Sequence, residues 1–337
     1  MSPSESNLTV AVTGPTGTFG FGLMPLLQAD DRIARIVGLA RRPFDPAEHG
    51  WTKMEYRRGD VRDPEALREA LDGADVVIHL AFLITGNASR ETIRAINVEG
   101  TLNTFRAAAA AGAKRFVYAS SVAAYGFHAD NPIGMTEEWP TRPAANLFYA
   151  QEKAEIEELL GEESAAHPEL DLYLLRPPVV LGPHTLGAKQ VLPGPLAPLG
   201  DWLARNLGRR LPVPVLAPVP ALPVQFIHED DVGQAFLLCA VGAGPPGPYN
   251  ITGDGVLTGA DVAREIGVVP VPVPEAPVQA AARAASALPL PPFVPPFAEW
   301  AEALSHPAIM DATKAKEQLG WKPRYTSLEA LQATLDA

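Results

Sequence analysis

The chain has 337 residues, 47% of them hydrophobic and 20% charged, which suits a globular protein with a sizeable core and not a disordered one. Its net charge is −12, and no Lys/Arg run exceeds a pair, so a nucleic-acid-binding surface is excluded. One cysteine, Cys239, excludes an intrachain disulfide and a cysteine zinc cluster, and its apolar surroundings (Ala235-Phe236-Leu237-Leu238) read as a core position.

Leu8 to Thr13 is a short β-branched run and predicts a buried strand. It leads into Gly14-Pro15-Thr16-Gly17-Thr18-Phe19-Gly20, after which Phe21 to Gln28 reads as a helix. Strand, glycine turn and helix together predict a dinucleotide site. Gly14 permits the tight turn, Gly17 lets backbone approach a pyrophosphate, and Gly20 lets the helix pack closely. Free N–H groups at the helix start favour the anion. Ile33 to Ala40 is the second strand. An acid usually ends it where NAD is bound; here Ala40 is followed by Arg41 and Arg42, two guanidiniums suited to a 2′-phosphate, which favours NADP over NAD. Lys53 to Gly59 is the third strand. Asp63 and Pro64 fit N-cap and N1 of the next helix, leaving Asp60 to meet the adenine and Val61 to cover it.

Asp75 to Ala81 is a fourth, near-continuously apolar strand. His79 near its end could be a base, but a core histidine hydrogen-bonded to backbone is the stronger reading. Leu80, Ala81 and Phe82 lie where strands of such sheets end against the ligand. Ser89 to Gly112 predicts one long helix with Val98, Leu102, Phe105 and Ala109 in its buried stripe. Asn97 borders that stripe and either orients the active site or closes a backbone gap. Arg115 to Ser121 is the fifth strand, ending in two serines. Residues 146–163 predict a helix carrying Tyr149-x-x-x-Lys153, which sets a phenol and an ammonium one turn apart. A neighbouring cation favours phenolate. The plain alternative is an amphipathic helix in which Lys153 pairs with Glu157. Leu170 to Arg176 is the sixth strand.

Residues 177 to 225 and 264 to 298 are rich in Pro, Leu, Val and Gly and read as irregular segments over the crevice. Leu211 to Ile227 holds five prolines, which forbids a spanning helix, and Met1 to Asn7 lacks the features of a signal peptide, so a cytoplasmic protein is expected. Within these segments Asp201 to Leu207 reads as a short helix stopped by Gly208. Arg205, Arg209 and Arg210 could bind phosphates, or simply form its polar exit, and Val213, Val215, Leu216, Val219, Leu222 and Val224 suggest an apolar pocket. Phe226 to Ala240 is a strand-to-helix junction with acids at the helix head. Tyr249 to Ile251 returns to the sheet, Thr258 caps a helix, and Thr313 to Leu319 begins another.

The pieces Thr13-Gly14-x-x-Gly17-x-x-Gly20, Gly59-Asp60-Val61, His79-Leu80-Ala81, Asn97-Val98-x-Gly100-Thr101, Ser120-Ser121-x-x-x-Tyr125-Gly126, Tyr149-x-x-x-Lys153, Leu175-Arg176-Pro177-Pro178-x-x-Leu181-Gly182-Pro183, Phe226-Ile227-His228-x-Asp230-Asp231-Val232 and Asp311-x-x-Lys314-Ala315-x-x-x-Leu319-Gly320-Trp321-x-Pro323 occur in that order. Together they resemble the extended short-chain dehydrogenase/reductase family, in its NAD-dependent epimerase/dehydratase group. The resemblance implies a Rossmann-type α/β fold. A dinucleotide-binding domain would span residues 1–176 with 230–252 returning to it, and a smaller Pro-rich substrate lobe would span 177–229 and 253–337. It implies hydride transfer, with Tyr149 as general acid/base, Lys153 on the ribose and lowering the tyrosine's pKa, and Ser121, matched by counting back from Gly126, on the reacting oxygen. It implies a cofactor bordered by Gly14, Thr16, Gly17, Thr18, Phe19, Gly20, Arg41, Arg42, Asp60, Val61, Leu80, Ala81, Phe82, Asn97, Ala119, Tyr149, Lys153 and Pro177. Ser121, Phe127, Pro178 and Val179 would face the substrate. No metal is expected. Nucleotide-sugar relatives usually place an Asn after the Arg-Pro of the sixth strand; here it is Pro178, so a hydrophobic carbonyl–alcohol pair is favoured. A nucleotide-sugar 4-epimerase or dehydratase with tightly held NAD, and a non-enzymatic dinucleotide sensor, are the alternatives. A homodimer through the helices of residues 89–112 and 146–163 is a family-level expectation.

Overall fold

Strand β1 (Leu8–Thr13) runs through the middle of a seven-stranded, all-parallel sheet, and every one of its residues but Thr9 is buried. The computed structural model describes residues 7–84, 88–145, 147–185, 216–220, 222–273 and 306–336. The other strands are β2 (Ile33–Ala40), β3 (Met54–Arg58), β4 (Val76–His79), β5 (Arg115–Ala119), β6 (Asp171–Arg176) and β11 (Gly247–Asn250), in the order β11-β6-β5-β4-β1-β2-β3. Strand order reverses between β1 and β4, which is where a doubly wound sheet opens a crevice at its carboxyl ends. Because both faces are covered by helices, the strands carry apolar side chains on both sides.

One face packs against α1 (Thr18–Ala29) and α6 (Glu229–Ala240), through Leu23, Met24, Leu27, Val232, Phe236 and Cys239. These two helices meet at glycine. A Cβ on Gly22 would lie 2.2 Å from the Glu229 carbonyl oxygen, and one on Gly233 would lie 2.3 Å from that of Gly22. The other face packs against α2 (Pro64–Leu71), α4 (Gly100–Ala110) and α5 (Phe148–Ala166), through Leu67, Phe105, Ile156 and Leu160. Asp63 caps α2 with Pro64 at its first position, as the sequence predicts.

The long helix expected from Ser89 is interrupted. Helix α3 (Arg90–Arg94) passes through a wide π-turn, Ala95–Glu99, before α4. The extra residue in that turn rotates the inward face. Thr101, Thr104, Phe105 and Ala108 are buried, whereas Leu102 and Ala109, expected in the stripe, are only half-buried. Gly100 ends the turn where Val61 presses in; a Cβ there would sit 2.5 Å from the valine Cγ2.

Part of the Pro-rich sequence is regular after all. Strand β7 (Val179–Leu181) pairs with β10 (Phe226–His228), β8 (Leu216–Pro220) with β13 (Val269–Val273), and β9 (Pro223–Val224) with β12 (Leu257–Thr258). In a two-stranded ribbon every second N–H points outward, so proline at alternate positions removes no ladder bond. The segment Asp201 to Leu207, Arg205, Arg209, Arg210, Val213 and Val215 lie outside the described residues.

Helix α7 (Gly259–Glu265) carries the expected Thr258 cap, completed by Asp261. After α8 (Thr313–Gln318), Gly320 turns the chain at φ +67° and Trp321 plugs into α6. Its indole N–H donates to the Asp231 carbonyl at 2.9 Å, and the Asp231 carboxylate accepts from the backbone N–H of Arg324 (2.8 Å) and Tyr325 (3.0 Å). The acids at the head of α6 thus hold specific partners as well as matching the dipole. A last helix, α9 (Ser327–Leu335), starts from a Thr326–Glu329 capping box.

Candidate active site

The glycine turn closes over the ends of β1 and β4. Gly14 has φ +72°, and a Cβ there would come within 2.8 Å of the Ala81 nitrogen. Gly17 is the N-cap of α1, which has no side-chain cap and no acid in its first turn. A Cβ on Gly17 would meet nothing nearer than the Gly14 oxygen at 3.6 Å, so this is an open cradle of backbone donors. Those features fit a dinucleotide pyrophosphate. Gly20 packs against the turn itself and not against the strand: its Cβ would lie 2.0 Å from the Pro15 oxygen. Thr16, Thr18 and Phe19 border the cradle at intermediate exposure, with the Thr18 hydroxyl donating to the His184 carbonyl at 3.3 Å and Phe19 resting on Phe236.

At the ends of β2 and β3, Arg41 and Arg42 are exposed. Arg58 lies across them, its Nε donating to the Arg41 carbonyl at 3.0 Å. Asp60 does not present a bare carboxylate. Arg62 grips it with Nε at 3.1 Å and Nη2 at 2.8 Å and adds its backbone N–H at 3.0 Å, and these bonds hold the Asp60 carboxyl below its ordinary range. Val61 is buried against Gly100.

His79 is a fully buried link between two hydroxyls, Thr13 at 2.8 Å on Nδ1 and Thr101 at 3.0 Å on Nε2. Thr101 donates its one proton to the Asn97 carbonyl, so toward His79 it accepts. The ring therefore carries its proton on Nε2 and accepts from Thr13. Burial, aided by Lys153, lowers its pKa to about 3. It is a neutral core histidine, though its partners are side chains and not the expected backbone.

Asn97 sits in the π-turn, fully buried. Its Oδ1 accepts from the Leu83 N–H at 2.7 Å, and its Nδ2 donates to the Leu83 carbonyl at 3.0 Å and to Glu152 Oε2 at 2.7 Å. All its polar atoms go to fixing the chain that leaves β4. That chain presents Leu80, Ala81 and Phe82 at intermediate exposure.

Tyr149 and Lys153 arrive on the first turns of α5, and Ser121 follows β5 and caps a short 3₁₀ turn by accepting from the Ala123 N–H at 3.1 Å. The three converge. Tyr149 is hydrogen-bonded to Ser121, and Lys153 Nζ lies 5.8 Å from the tyrosine ring centre. Lys153 donates to the Ala119 carbonyl at 2.6 Å and to the Tyr118 hydroxyl at 3.1 Å, and sits 3.6 Å from the centre of the Phe82 ring. Phe82 in turn stands edge-on to Tyr149, with ring centres 5.6 Å apart. Burial dominates the titration of both groups. It pushes Tyr149 up to about 12, opposed by the Ser121 bond, and pulls Lys153 down to about 7, opposed by Glu157 and Glu152. The phenol is thus held protonated near neutrality, against the expected drift toward phenolate. Phe82 thus stands at the site, as its place after β4 suggests, whereas Tyr118 is not separable from ordinary core aromatics in the sequence.

The alternative partner for Lys153 is taken. Glu157 binds Arg176 in a buried bidentate pair (Nε to Oε1, 2.9 Å) and accepts from the Ser120 hydroxyl. Arg176 also donates to the Tyr125 hydroxyl at 2.7 Å, which donates to Asn250 Oδ1 at 2.8 Å. This network turns Ser120 away from the cleft and supports the floor beneath Ser121. Pro177 and Pro178 are buried next to it, with the Pro177 carbonyl accepting from Val122 N–H at 2.9 Å, whereas Val179 is 55% exposed. Phe127 packs with Tyr149 against Ala123, Ala144, Leu147 and Ala150. Leu222 is buried and Leu216 is exposed. Among the described residues no group of His, Cys, Asp and Glu is arranged to hold a metal, and no helix is long and apolar enough to cross a membrane.

Residues 10–252 match the family model described as the NAD dependent epimerase/dehydratase family. An uncharacterised protein of Sinorhizobium fredii is 29% identical over 337 aligned positions, covering 97% of this chain and 77% of its own. Sterol demethylase protein B of Methylococcus capsulatus is 32% identical over 179 positions, covering 52% of each chain. Among solved structures, the Thermus thermophilus UDP-glucose 4-epimerase in complex with NAD superposes with a TM-score of 0.68 at 23% identity, over 98% of both chains. At that identity the likeness shows the fold.

Proposed function

The chain belongs to the NAD-dependent epimerase/dehydratase family, an oxidoreductase family of the extended short-chain type, and from that premise we propose that it is an NADP-preferring reductase–dehydrogenase acting on a hydrophobic ketone, aldehyde or secondary alcohol. The observation that carries this reading is the convergence of Ser121, Tyr149 and Lys153 beneath apolar walls. The dinucleotide would lie along Gly14, Gly17 and the start of α1, with Arg41 and Arg42 at its 2′-phosphate and Lys153 at its ribose. A bound nicotinamide supplies or accepts the hydride. Ser121 and Tyr149 would both bond the substrate oxygen, and in reduction the Tyr149 hydroxyl gives its proton to that oxygen. A phenol held at about 12 stands ready as that acid. In oxidation the Tyr149 hydroxyl would first release its proton to water, and the phenolate, favoured by a charged Lys153, would then take the proton of the substrate alcohol.

The apolar substrate class is supported by Phe82, Phe127, Pro178 and the exposed Val179, and by the engagement of Arg176 with Glu157, which leaves it turned from the cleft. Residues 177–229 and 253–337 would form the substrate lobe. A nucleotide-sugar epimerase with retained NAD is the second reading, favoured by the fold it shares with the Thermus enzyme. Mass spectrometry of the purified protein, with NADPH and NADH titrations and a carbonyl panel, separates the two. Exchangeable NADPH with turnover of apolar carbonyls is expected. Retained NAD with affinity for a UDP-sugar overturns the proposal.

A further inference from the structure

Glu152 lies between Tyr149 and Lys153 on α5, is only 1% exposed, and has no part in the chemistry above. One oxygen, Oε2, accepts from Asn97 at 2.7 Å; the other, Oε1, is buried and accepts no hydrogen bond among the described residues. A residue with a packing role alone has no need of such a carboxylate, because burying an under-satisfied charge costs free energy. Asn97 is in turn bonded twice to Leu83, the neighbour of Phe82, whose ring rests against Lys153 and Tyr149. Glu152 is therefore the anchor on α5 for the segment that leaves β4.

The surrounding charges say what its negative charge does. From α3, Arg94 faces it but is paired with Glu155 of α5 at 2.6 Å. From the π-turn it meets only the neutral amide of Asn97. Two carboxylates act on Lys153, Glu157 and Glu152. The charge of Glu157 is balanced by the bidentate Arg176, whereas Glu152 holds no bidentate cation among the described residues.

We propose that Glu152 is a positioning residue that clamps the β4 exit to α5 through Asn97 and, as the residue just before Lys153, adds a negative charge that favours its ammonium form. This rests on the assignment of Lys153 to the cofactor ribose. Burial raises Glu152 and lowers Lys153, so each charged form depends on the groups around it.

The test reads dinucleotide binding without substrate, so a wrong substrate class leaves it intact, while Tyr149→Phe activity tests the reaction separately. Glu152→Gln keeps an acceptor for Asn97 but removes the charge. The pH at which NADPH binding weakens should fall by about half a unit or more, a loss of roughly threefold or more in affinity above that pH. Hydrogen exchange at the Leu83 amide should be slow in the wild type, remain slow in Glu152→Gln and accelerate in Glu152→Ala. An unchanged binding midpoint in Glu152→Gln overturns the electrostatic role. A Leu83 amide that exchanges in the wild type as fast as a free loop overturns the clamp, and that measurement needs no variant to fold.

Discussion

His79 makes the stability of this protein depend on pH in a calculable way. It is fully buried between Thr13 and Thr101, and its pKa falls from 6.5 to about 3 on folding. A base whose folded value is depressed takes up protons first in the unfolded chain. Its contribution is complete above the unfolded value and is lost as pH falls from 6.5 toward 3. Each pH unit in that window is worth roughly 1.4 kcal/mol, so the unfolded chain gains about 2 kcal/mol from this one imidazole between pH 7 and pH 5. Other titrating groups contribute as well, so the measurement is a comparison. His79→Gln removes the titration at the cost of one or both hydroxyl partners, about 1–3 kcal/mol at pH 7. Unfolding free energies of the two proteins from urea titrations should shift by about 2 kcal/mol in favour of the variant between pH 7 and pH 5. Parallel profiles would mean that His79 charges within the fold, and the proton assignment between Thr13 and Thr101 would fall.

Three further outcomes are expected. Tyr149→Phe should lower kcat by about 10²–10⁴ while leaving dinucleotide affinity within a few-fold, and undiminished turnover removes the phenol from the mechanism. Replacing Arg41 and Arg42 together by Ala should weaken NADPH about tenfold or more relative to NADH, and equal losses would show that neither reads a 2′-phosphate. Arg176→Met should cost about 3–5 kcal/mol by stranding the Glu157 carboxylate, and Glu157→Leu in the same chain should recover most of it; a cost under about 1 kcal/mol for the single change refutes the buried pair.

The elements most legible in the sequence are those whose signal is local. The β-branched run of β1 and the glycines after it specify a strand and a turn within a dozen residues, and Asp63-Pro64 and Thr258 mark helix starts by the bonds they form a turn away. The interrupted helix at Ala95–Glu99 was not legible, because the run holds no Gly or Pro to mark a break, and the bonds from its Asn97 to Leu83 are made only across the fold. The ribbons of the Pro-rich segments were missed for a related reason: proline forbids a central strand but not a paired edge, and only the partner reveals which it is. Gly22 and Gly233, 211 positions apart, show their purpose only when α1 and α6 cross.

At the site the same division holds, and Glu157 expresses it best. The sequence by itself determined the glycine cradle, the two-arginine end of β2, and a helix bearing Tyr149 and Lys153 on one face, because turn chemistry and helical period act over a few residues. It offered Glu157 to Lys153 on that same spacing. Tertiary structure decided otherwise. Arg176, 19 residues on and in the neighbouring strand, presents a planar guanidinium with two parallel donors to the buried carboxylate, a better partner than an ammonium one turn away. With Glu157 taken, Lys153 turns to Tyr118, Ala119 and Phe82, and burial, which no sequence spacing records, sets the protonation of the lysine and of Tyr149.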